Sequence, residues 1–206
     1  MCQLLETIGI KDRKPLNIEY HNNRFNKTRK ELFNCTDFID IRNLIYVPES
    51  FKKVYCKCRV IYGKTIEKIE YHPYSIKPIQ SLRMVQVKDI NYNYKFTDRS
   101  CFDELLKQKE NCDEILIIKD GLITDTSFSN IVLFDGRDWI TPSSPLLKGT
   151  KREKLLQERL IKEKEVTTGD LKFFKELRLI NAMIDIENSP SIEIKNIFYL
   201  NSFYGY

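Results

Sequence analysis

Short hydrophobic segments, either alternating with polar residues or rich in β-branched ones, recur along the chain between polar turns. This pattern is typical of strands, which we predict over residues 4–10, 16–20, 54–62, 64–71, 82–87, 115–118, 122–124, 130–134 and 139–141. Hydrophobic residues at helical spacing instead predict amphipathic helices over residues 21–33, 99–109 and 149–162. The apolar tail, 192–206, is predicted to dock as a last strand. The mixture predicts an α+β fold.

The strands of the first half are predicted to form one small sheet. We expect the strands 64–71 and 82–87 to extend the sheet begun by 54–62, with Pro73 and Pro78 marking the loop between them. In the strand 54–62, alternate residues face opposite sides.

Two predicted hairpins lie between residues 114 and 141. The sequence Lys119-Asp120-Gly121 predicts the first turn, and Asp135-Gly136 predicts the second. The chain reaches Asp125 from a buried strand, and Asn130 opens the next one. A carboxylate and an amide at the ends of rigid strands are typical of a functional site.

Composition excludes several classes of protein. Of 206 residues, 42% are hydrophobic and 31% charged, which indicates a soluble globular protein. The balance of 34 Lys+Arg against 29 Asp+Glu gives a net charge of +5. This charge is too small and too scattered to indicate nucleic-acid binding, although it suits an anionic ligand. There is no membrane span and no signal peptide in the pattern, so we expect a cytoplasmic protein.

The six cysteines do not predict a metal site. There is no C-x-x-C pair, and the chain has only two histidines to complete a ligand set. Cys56 and Cys58 are two residues apart on a predicted strand and therefore share one face. We interpret them as reduced thiols of the core.

Three short features suggest binding or catalysis, each with an ordinary alternative. Arg59 lies between apolar residues, where a guanidinium is costly unless an anion meets it, but it is equally compatible with a solvated strand residue. Lys95 lies between Tyr94 and Phe96, surroundings that lower an amine's pKa, although such lysines are more often surface residues. The segment Gly149-Thr150 begins a helix, and such a start can bind an anion or be merely structural.

One long motif identifies a family. The segments D-G-x-I-T-D-T-S-x-S-N from Asp120, W-x-T-P from Trp139 and L-L-K-G-T-x-R from Leu146 resemble the class IV aminotransferases, pyridoxal-phosphate (PLP) enzymes of fold type IV. The resemblance implies the two-domain fold of D-amino-acid aminotransferase, with a shortened N-terminal domain over 1–91 and a PLP-binding domain over 92–206. It also implies a homodimer whose active site lies between the domains.

The resemblance implies roles for individual residues. Lys95 matches the lysine that is joined covalently to PLP, and Asp125 matches the carboxylate, usually Glu, that keeps the pyridinium nitrogen protonated. His21 and Arg24 match an H-x-x-R element, which we interpret as mainly structural. The PLP phosphate is then expected to be bound by Arg59, Gly149, Thr150, Asn181 and Ala182.

The motifs favour a lyase within the family. Arg99, in K-F-T-D-R, is similar to the K-x-x-N-R of the lyases, although it could equally cap the following helix through an ion pair. Asn181-Ala182 is similar to a lyase segment, and Asn130 is a further candidate for contact with the anionic amino substrate. We therefore predict an aminodeoxychorismate lyase that forms 4-aminobenzoate and pyruvate. The alternatives are an aminotransferase acting on D-amino or branched-chain amino acids, and a non-catalytic family member.

Overall fold

A computed structural model describes residues 2–199. Its helices are α1 (Ile18–Phe33), α2 (Ser100–Leu106) and α3 (Thr150–Gln157), with short 3-10 turns between other elements. Its strands are β1 (Leu4–Lys11), β2 (Lys14–Pro15), β3 (Cys56–Tyr62), β4 (Ile66–Pro73), β5 (Leu82–Val87), β6 (Glu114–Lys119), β7 (Leu122–Thr126), β8 (Asn130–Phe134), β9 (Trp139–Pro142), β10 (Lys162–Lys164), β11 (Glu176–Ile180), β12 (Ser191–Glu193) and β13 (Ile197–Phe198).

The first sheet is antiparallel, in the order β2-β1-β3-β4, and α1 packs on one of its faces. Strand β3 alternates as predicted, with Cys56, Cys58 and Val60 buried against this helix and Lys57 and Arg59 on the opposite face. The predicted burial of both cysteines is confirmed. The opposite face of β3 therefore carries two cations away from the core.

Two further sheets form the rest of the molecule. One has the order β13-β5-β6-β7 and the other the order β10-β9-β8-β11-β12, and their facing apolar residues form the largest core. Helix α2 covers the first of these sheets through Phe102, which packs with Ile115 and Ile117. Helix α3 covers the second through Leu155, which packs with Val132 and Ile180. Both helices are thus fixed by apolar contacts with a sheet.

Residues 82–87 form a strand as predicted, but the prediction that this strand belongs to the first sheet is wrong. Strand β5 does not extend the small first sheet; it pairs in parallel with β6, over Leu82–Glu114 to Val87–Lys119. Helix α2 supplies the connection that a parallel pair requires. The change of strands from the first sheet to the others therefore falls between Pro73 and Leu82. The domain boundary expected after residue 91 stays a prediction.

Other predicted bounds also change. Residues 16–20 are not a strand, because Asn17 adopts a left-handed conformation (φ 53°) and α1 begins directly after it. Helix α3 ends at Gln157 instead of near residue 162, because Arg159 takes the left-handed conformation (φ 59°) that closes a helix. Leu160, which falls within the predicted helix but beyond its observed end, is consequently 56% exposed. The tail contributes β12 and β13, and 200–206 lies outside the described residues.

No helix within residues 2–199 is both long enough and apolar enough to cross a membrane.

Candidate active site

A cleft of about 350 Å³ lies between the first sheet and the rest of the molecule. It is lined by every residue that the sequence suggested for a site. The individual roles of these residues stay predictions. These residues are Arg59, Lys95, Arg99, Asp125, Asn130, Gly149, Thr150, Asn181 and Ala182.

Lys95 is held on the edge of β1. The backbone amide of Leu5 donates to the Lys95 carbonyl at 2.9 Å, and the amide of Thr97 donates to the Gln3 carbonyl at 2.9 Å. Between them, Phe96 pairs with Leu4 as an isolated antiparallel bridge. The backbone is therefore fixed on both sides of Lys95, which projects into the cleft from a rigid support.

The surroundings of Lys95 favour its neutral amine. Burial lowers the pKa of Lys95 to about 8; the nearby Arg24 also lowers it, Glu6 opposes the change, and Arg99 and Arg59 add to it. An amine with such a pKa is partly unprotonated near neutral pH and can act as a nucleophile or base. The structure thus gives Lys95 the property that its aromatic neighbours suggested.

Asp125 is oriented by three donors. Its Oδ1 accepts from the Asn130 side chain at 2.7 Å, and its Oδ2 accepts from the backbone amides of Leu146 and Leu147 at 2.8 and 3.1 Å. Burial raises the pKa of Asp125 to about 6, while these three hydrogen bonds favour the charged form. A carboxylate oxygen has two lone pairs, so Oδ1 retains one for a ligand. Asp125 is therefore a fixed carboxylate in the lining of the cleft.

Asn130 connects this carboxylate to the start of α3. Besides its bond to Asp125, its Nδ2 donates to the Leu147 carbonyl at 2.8 Å, and its Oδ1 accepts from the Gly149 amide at 3.1 Å. Both amide hydrogens of Asn130 are therefore engaged by the protein. Contact with substrate stays a prediction for Asn130, whereas its hydrogen bonds show a positioning role.

The start of α3 also lines the cleft. The first amides of an α-helix have no acceptor within the helix, and the helix dipole favours an anion beside them. The Gly149 amide already donates to Asn130, and the Glu153 amide donates to the Gly149 carbonyl at 3.0 Å. The amides that remain for an anion are therefore those of residues 150–152.

A turn over residues 181–184 faces this helix start. The Asn181 side chain accepts from the Met183 amide at 2.8 Å and donates to Ser129 Oγ at 2.8 Å. An ion pair between the buried Lys151 and Asp185 ties the turn to the first residues of α3. Asn181 is therefore used to shape the turn, and Ala182 lies in the cleft beside it.

Arg24 lines the cleft although the sequence predicted only a structural role for it. It forms a two-point ion pair with the buried Glu6, at 2.8 and 2.6 Å, and its Nη1 donates to the carbonyl of Lys148, directly before Gly149, at 3.4 Å. Arg59, by contrast, is paired with Glu70 at 3.1 Å. The H-x-x-R element was the available signal, but it was interpreted as mainly structural. Arg24, rather than Arg59, is therefore in contact with the segment directly before α3.

Arg99 points into the cleft. Its Nη2 donates to the Ser127 carbonyl at 2.6 Å, and its guanidinium lies 5.2 Å from the centre of the Phe102 ring. Arg99 occupies the N-cap position of α2, but its side chain makes no capping hydrogen bond there. Within residues 2–199 it also has no acidic partner, so the alternative of a helix-capping ion pair is not observed. Asp98 instead accepts from the amide of Ser100 at 3.0 Å at the start of α2.

The cleft carries an excess of positive charge. Within the described part of the chain, Asp125 is the single acid among its lining residues, against five cations: Arg24, Lys57, Arg59, Lys95 and Arg99. Such a lining attracts an anionic ligand. The expectation of an anionic ligand is consistent with this charge.

The family model for amino-transferase class IV matches residues 3–188. A protein of Haemophilus influenzae strain Rd, whose name states no activity, is 37% identical over 185 residues, which span 89% of this chain and 98% of that protein.

Solved structures share the fold. A protein of Haemophilus somnus 129pt, provisionally named 4-amino-4-deoxychorismate lyase, superposes with a TM-score of 0.83 at 36% identity, over 89% of this chain and 97% of that one. A protein of Mesorhizobium loti, provisionally named amino-acid aminotransferase, superposes with a TM-score of 0.77 at 20% identity, over 97% of this chain and 100% of that one. The α+β fold expected from the sequence, with its short first domain, is confirmed.

Proposed function

The chain belongs to the class IV aminotransferase family and is an enzyme of that family; we propose that it binds PLP and acts as a 4-amino-4-deoxychorismate lyase. The reaction would convert this substrate to 4-aminobenzoate and pyruvate. One observation carries the lyase over an aminotransferase: Arg99 faces the cleft, held by Ser127, instead of capping α2. The 36% identical relative with a provisional lyase name supports the same choice.

The residues of the cleft fit PLP. Asp125 presents a buried, oriented carboxylate, as a pyridine nitrogen requires. The start of α3 and Arg24 suit a phosphate group. In the same cleft, Lys95 offers an amine whose pKa is lowered to about 8. When bound, PLP supplies the electron sink that stabilises negative charge on a substrate carbon.

The chain's own groups have separate tasks in this proposal. Asp125 holds the proton on the pyridine nitrogen by remaining charged beside it. Lys95, once its amine is free, takes a proton from the substrate and returns it, as an amine with a pKa near the working pH can do. The tight support of Lys95 on β1 keeps its nitrogen near the reacting atoms.

We divide the cations of the cleft between two anionic groups, the phosphate of PLP and the carboxylates of the substrate. We assign the phosphate to Arg24 together with the amides at the start of α3, because Arg24 contacts Lys148 beside that start. Arg59 and Lys57, which project from the same face of β3, and Arg99 then remain for the carboxylates of the substrate. This division replaces the expected phosphate role of Arg59 with a substrate role.

The reaction type is tested with purified protein, PLP and aminodeoxychorismate, with no keto acid present. A lyase begins and ends with PLP, so we expect many turnovers to 4-aminobenzoate and pyruvate. An aminotransferase stalls after one half-reaction without a keto acid and shows ping-pong kinetics when one is supplied. Turnover only with D-alanine or a branched-chain amino acid plus a keto acid would establish that alternative. Absence of PLP binding would support the non-catalytic alternative.

We also propose a homodimer in the cytoplasm, as the family resemblance implies. Light scattering coupled to size-exclusion chromatography, with and without PLP, tests the dimer.

A further inference from the structure

Three buried side chains form a hydrogen-bonded chain that ends at the start of α3. Glu6 on β1 accepts from His21 Nδ1 at 2.6 Å, and His21 Nε2 lies 3.4 Å from Thr150 Oγ1. Glu6 and His21 are fully buried, and Thr150 is 4% exposed. The chain therefore connects the interior of the first sheet with a residue that lines the cleft.

The protons along this chain can be assigned. Burial alone would raise the pKa of Glu6, but Arg24 and His21 lower this pKa to about 2. Glu6 is therefore a hydrogen-bond acceptor, and the Nδ1 atom of His21 carries a hydrogen. Burial lowers the pKa of His21, against the effect of Glu6 and aided by Arg24 and Lys95. The ring is then neutral near pH 7, and its Nε2 accepts the hydroxyl hydrogen of Thr150.

In this arrangement the Thr150 hydroxyl is oriented unfavourably for an anion at the start of α3. While its only hydrogen points to Nε2, the Thr150 hydroxyl presents lone pairs to the cleft, and these repel an anionic oxygen. Rotating the hydroxyl toward the anion would leave Nε2 buried without a partner, which is costly. Protonation of Nε2 removes this conflict, because the ring then donates to Oγ1 and frees the hydroxyl hydrogen.

We propose that His21 is a positioning residue that takes up one proton when a dianion binds at the start of α3, and so makes Thr150 a donor to that anion. The proposal rests on the proposed function for the location of the anion. The proton comes from solvent and forms the Nε2–H bond. Glu6 from β1 and the anion offset the new charge, whereas Arg24 from α1 and Lys95 from the segment after β5 oppose it.

The test uses sulfate, which stays dianionic across the working pH range and brings no proton of its own. The chain has two histidines, so the imidazole nitrogens of both can be followed by NMR while sulfate is added at pH 7. His72, whose side chain is 46% exposed, is the internal control, and His72→Gln assigns its signals. We expect His21 to change from the neutral ring protonated at Nδ1 to the doubly protonated ring, with His72 unchanged.

Two further measurements distinguish this role from a merely structural one. Between the titration midpoints of His21 in the free protein and in the sulfate complex, the association constant of sulfate should fall about tenfold per pH unit, as linkage to one proton requires. Thr150→Val should abolish the change at His21, and Thr150→Ser, which keeps the hydroxyl, should restore it.

Two outcomes separate the inference from the proposed function. If sulfate binds and His21 stays neutral, the role of His21 is overturned and the anion site stands. The same conclusion follows if His21 still becomes protonated on sulfate binding in Thr150→Val. If neither sulfate nor inorganic phosphate binds, the anion site is overturned, and the role of His21 with it.

Discussion

The side-chain oxygen of Asn130 lies so close to Gly149 that a Cβ at position 149 would overlap it. The same oxygen accepts from the Gly149 amide at 3.1 Å, and the amide nitrogen of Asn130 donates to Asp125 at 2.7 Å. A single side chain therefore joins the carboxylate end of the cleft to the start of α3. The absence of a side chain at Gly149 is a condition for that connection.

Gly149→Ala should break the connection. Because the added methyl group displaces Asn130, we expect the free energy of unfolding to fall by about 1–3 kcal/mol, as measured by urea unfolding. We expect the affinity for PLP to fall as well, as measured by the absorbance of the bound cofactor. Gly169→Ala is the matched control, since the nearest atom to its Cβ is Thr167 Oγ1 at 3.7 Å. Equal effects of the two substitutions would contradict the steric argument.

Lys95 should be the residue that PLP modifies. Its pKa of about 8 leaves part of the amine neutral, so it reacts more readily than an ordinary lysine. After incubation with PLP and reduction with borohydride, peptide mapping should place the phosphopyridoxyl group on Lys95. A label on Lys88 or Lys119 would show that the assignment is wrong.

Asp125→Asn should retain the fold and lose turnover. The substitution keeps the size of the side chain and removes the charge that holds the pyridine nitrogen protonated. We expect kcat to fall by roughly two orders of magnitude, which corresponds to about 3 kcal/mol of barrier. The amide also faces three donors, so stability should fall by about 1–3 kcal/mol. Measurement of kcat at saturating PLP, with the folded state checked by circular dichroism, separates the two effects; unchanged kcat would assign the charge to another group.

Arg24 and Arg59 should affect different ligands. Arg24→Lys keeps the charge and loses the two-point contact with Glu6, so we expect the dissociation constant of PLP to rise by about tenfold or more, equivalent to about 1.4 kcal/mol. Arg59→Lys, the matched control on β3, should leave PLP affinity nearly unchanged and raise KM for the substrate. Titration of the apo-protein with PLP and steady-state kinetics measure both. If Arg59→Lys weakened PLP binding more than Arg24→Lys did, the phosphate role first expected for Arg59 would stand instead.

Glu6 should stabilise the protein in a pH-dependent way. Its pKa is lowered from 4.5 to about 2 in the folded state, so its contribution is complete above about pH 5 and is lost as the pH falls toward 2. We expect Glu6→Gln to lower the free energy of unfolding by on the order of 3 kcal/mol at pH 7 and by much less at pH 3.

The control for Glu6 is Glu104→Gln, which removes an exposed ion pair with Lys107 and should change stability by less than about 1 kcal/mol. Denaturant unfolding at both pH values gives the comparison. A difference between wild type and Glu6→Gln that is the same at pH 7 and pH 3 would contradict the assigned pKa.

The sequence alone determined the family, the α+β class and a set of residues that the fold brings into one cleft. Lys95, Asp125 and Gly149 could be found because each lies in a contiguous motif whose residue types and order reflect local requirements: a turn, a strand end, a helix start. Alternation along β3 likewise predicted which face carries Arg59, since side chains on a strand alternate without regard to the rest of the fold.

Only the tertiary structure decided which groups work together. Strand β5 was assigned to the wrong sheet because hydrophobic pattern predicts a strand and not its partner. The pairing of Glu6 with Arg24, the contact of Arg24 with Lys148 and the reach of His21 to Thr150 join residues up to 129 positions apart. Such contacts depend on how helices and sheets pack, and local pattern carries no information about that packing. The electrostatic environment of Lys95 and Asp125 depends on it as well, because burial and neighbouring charges exist only in the folded chain.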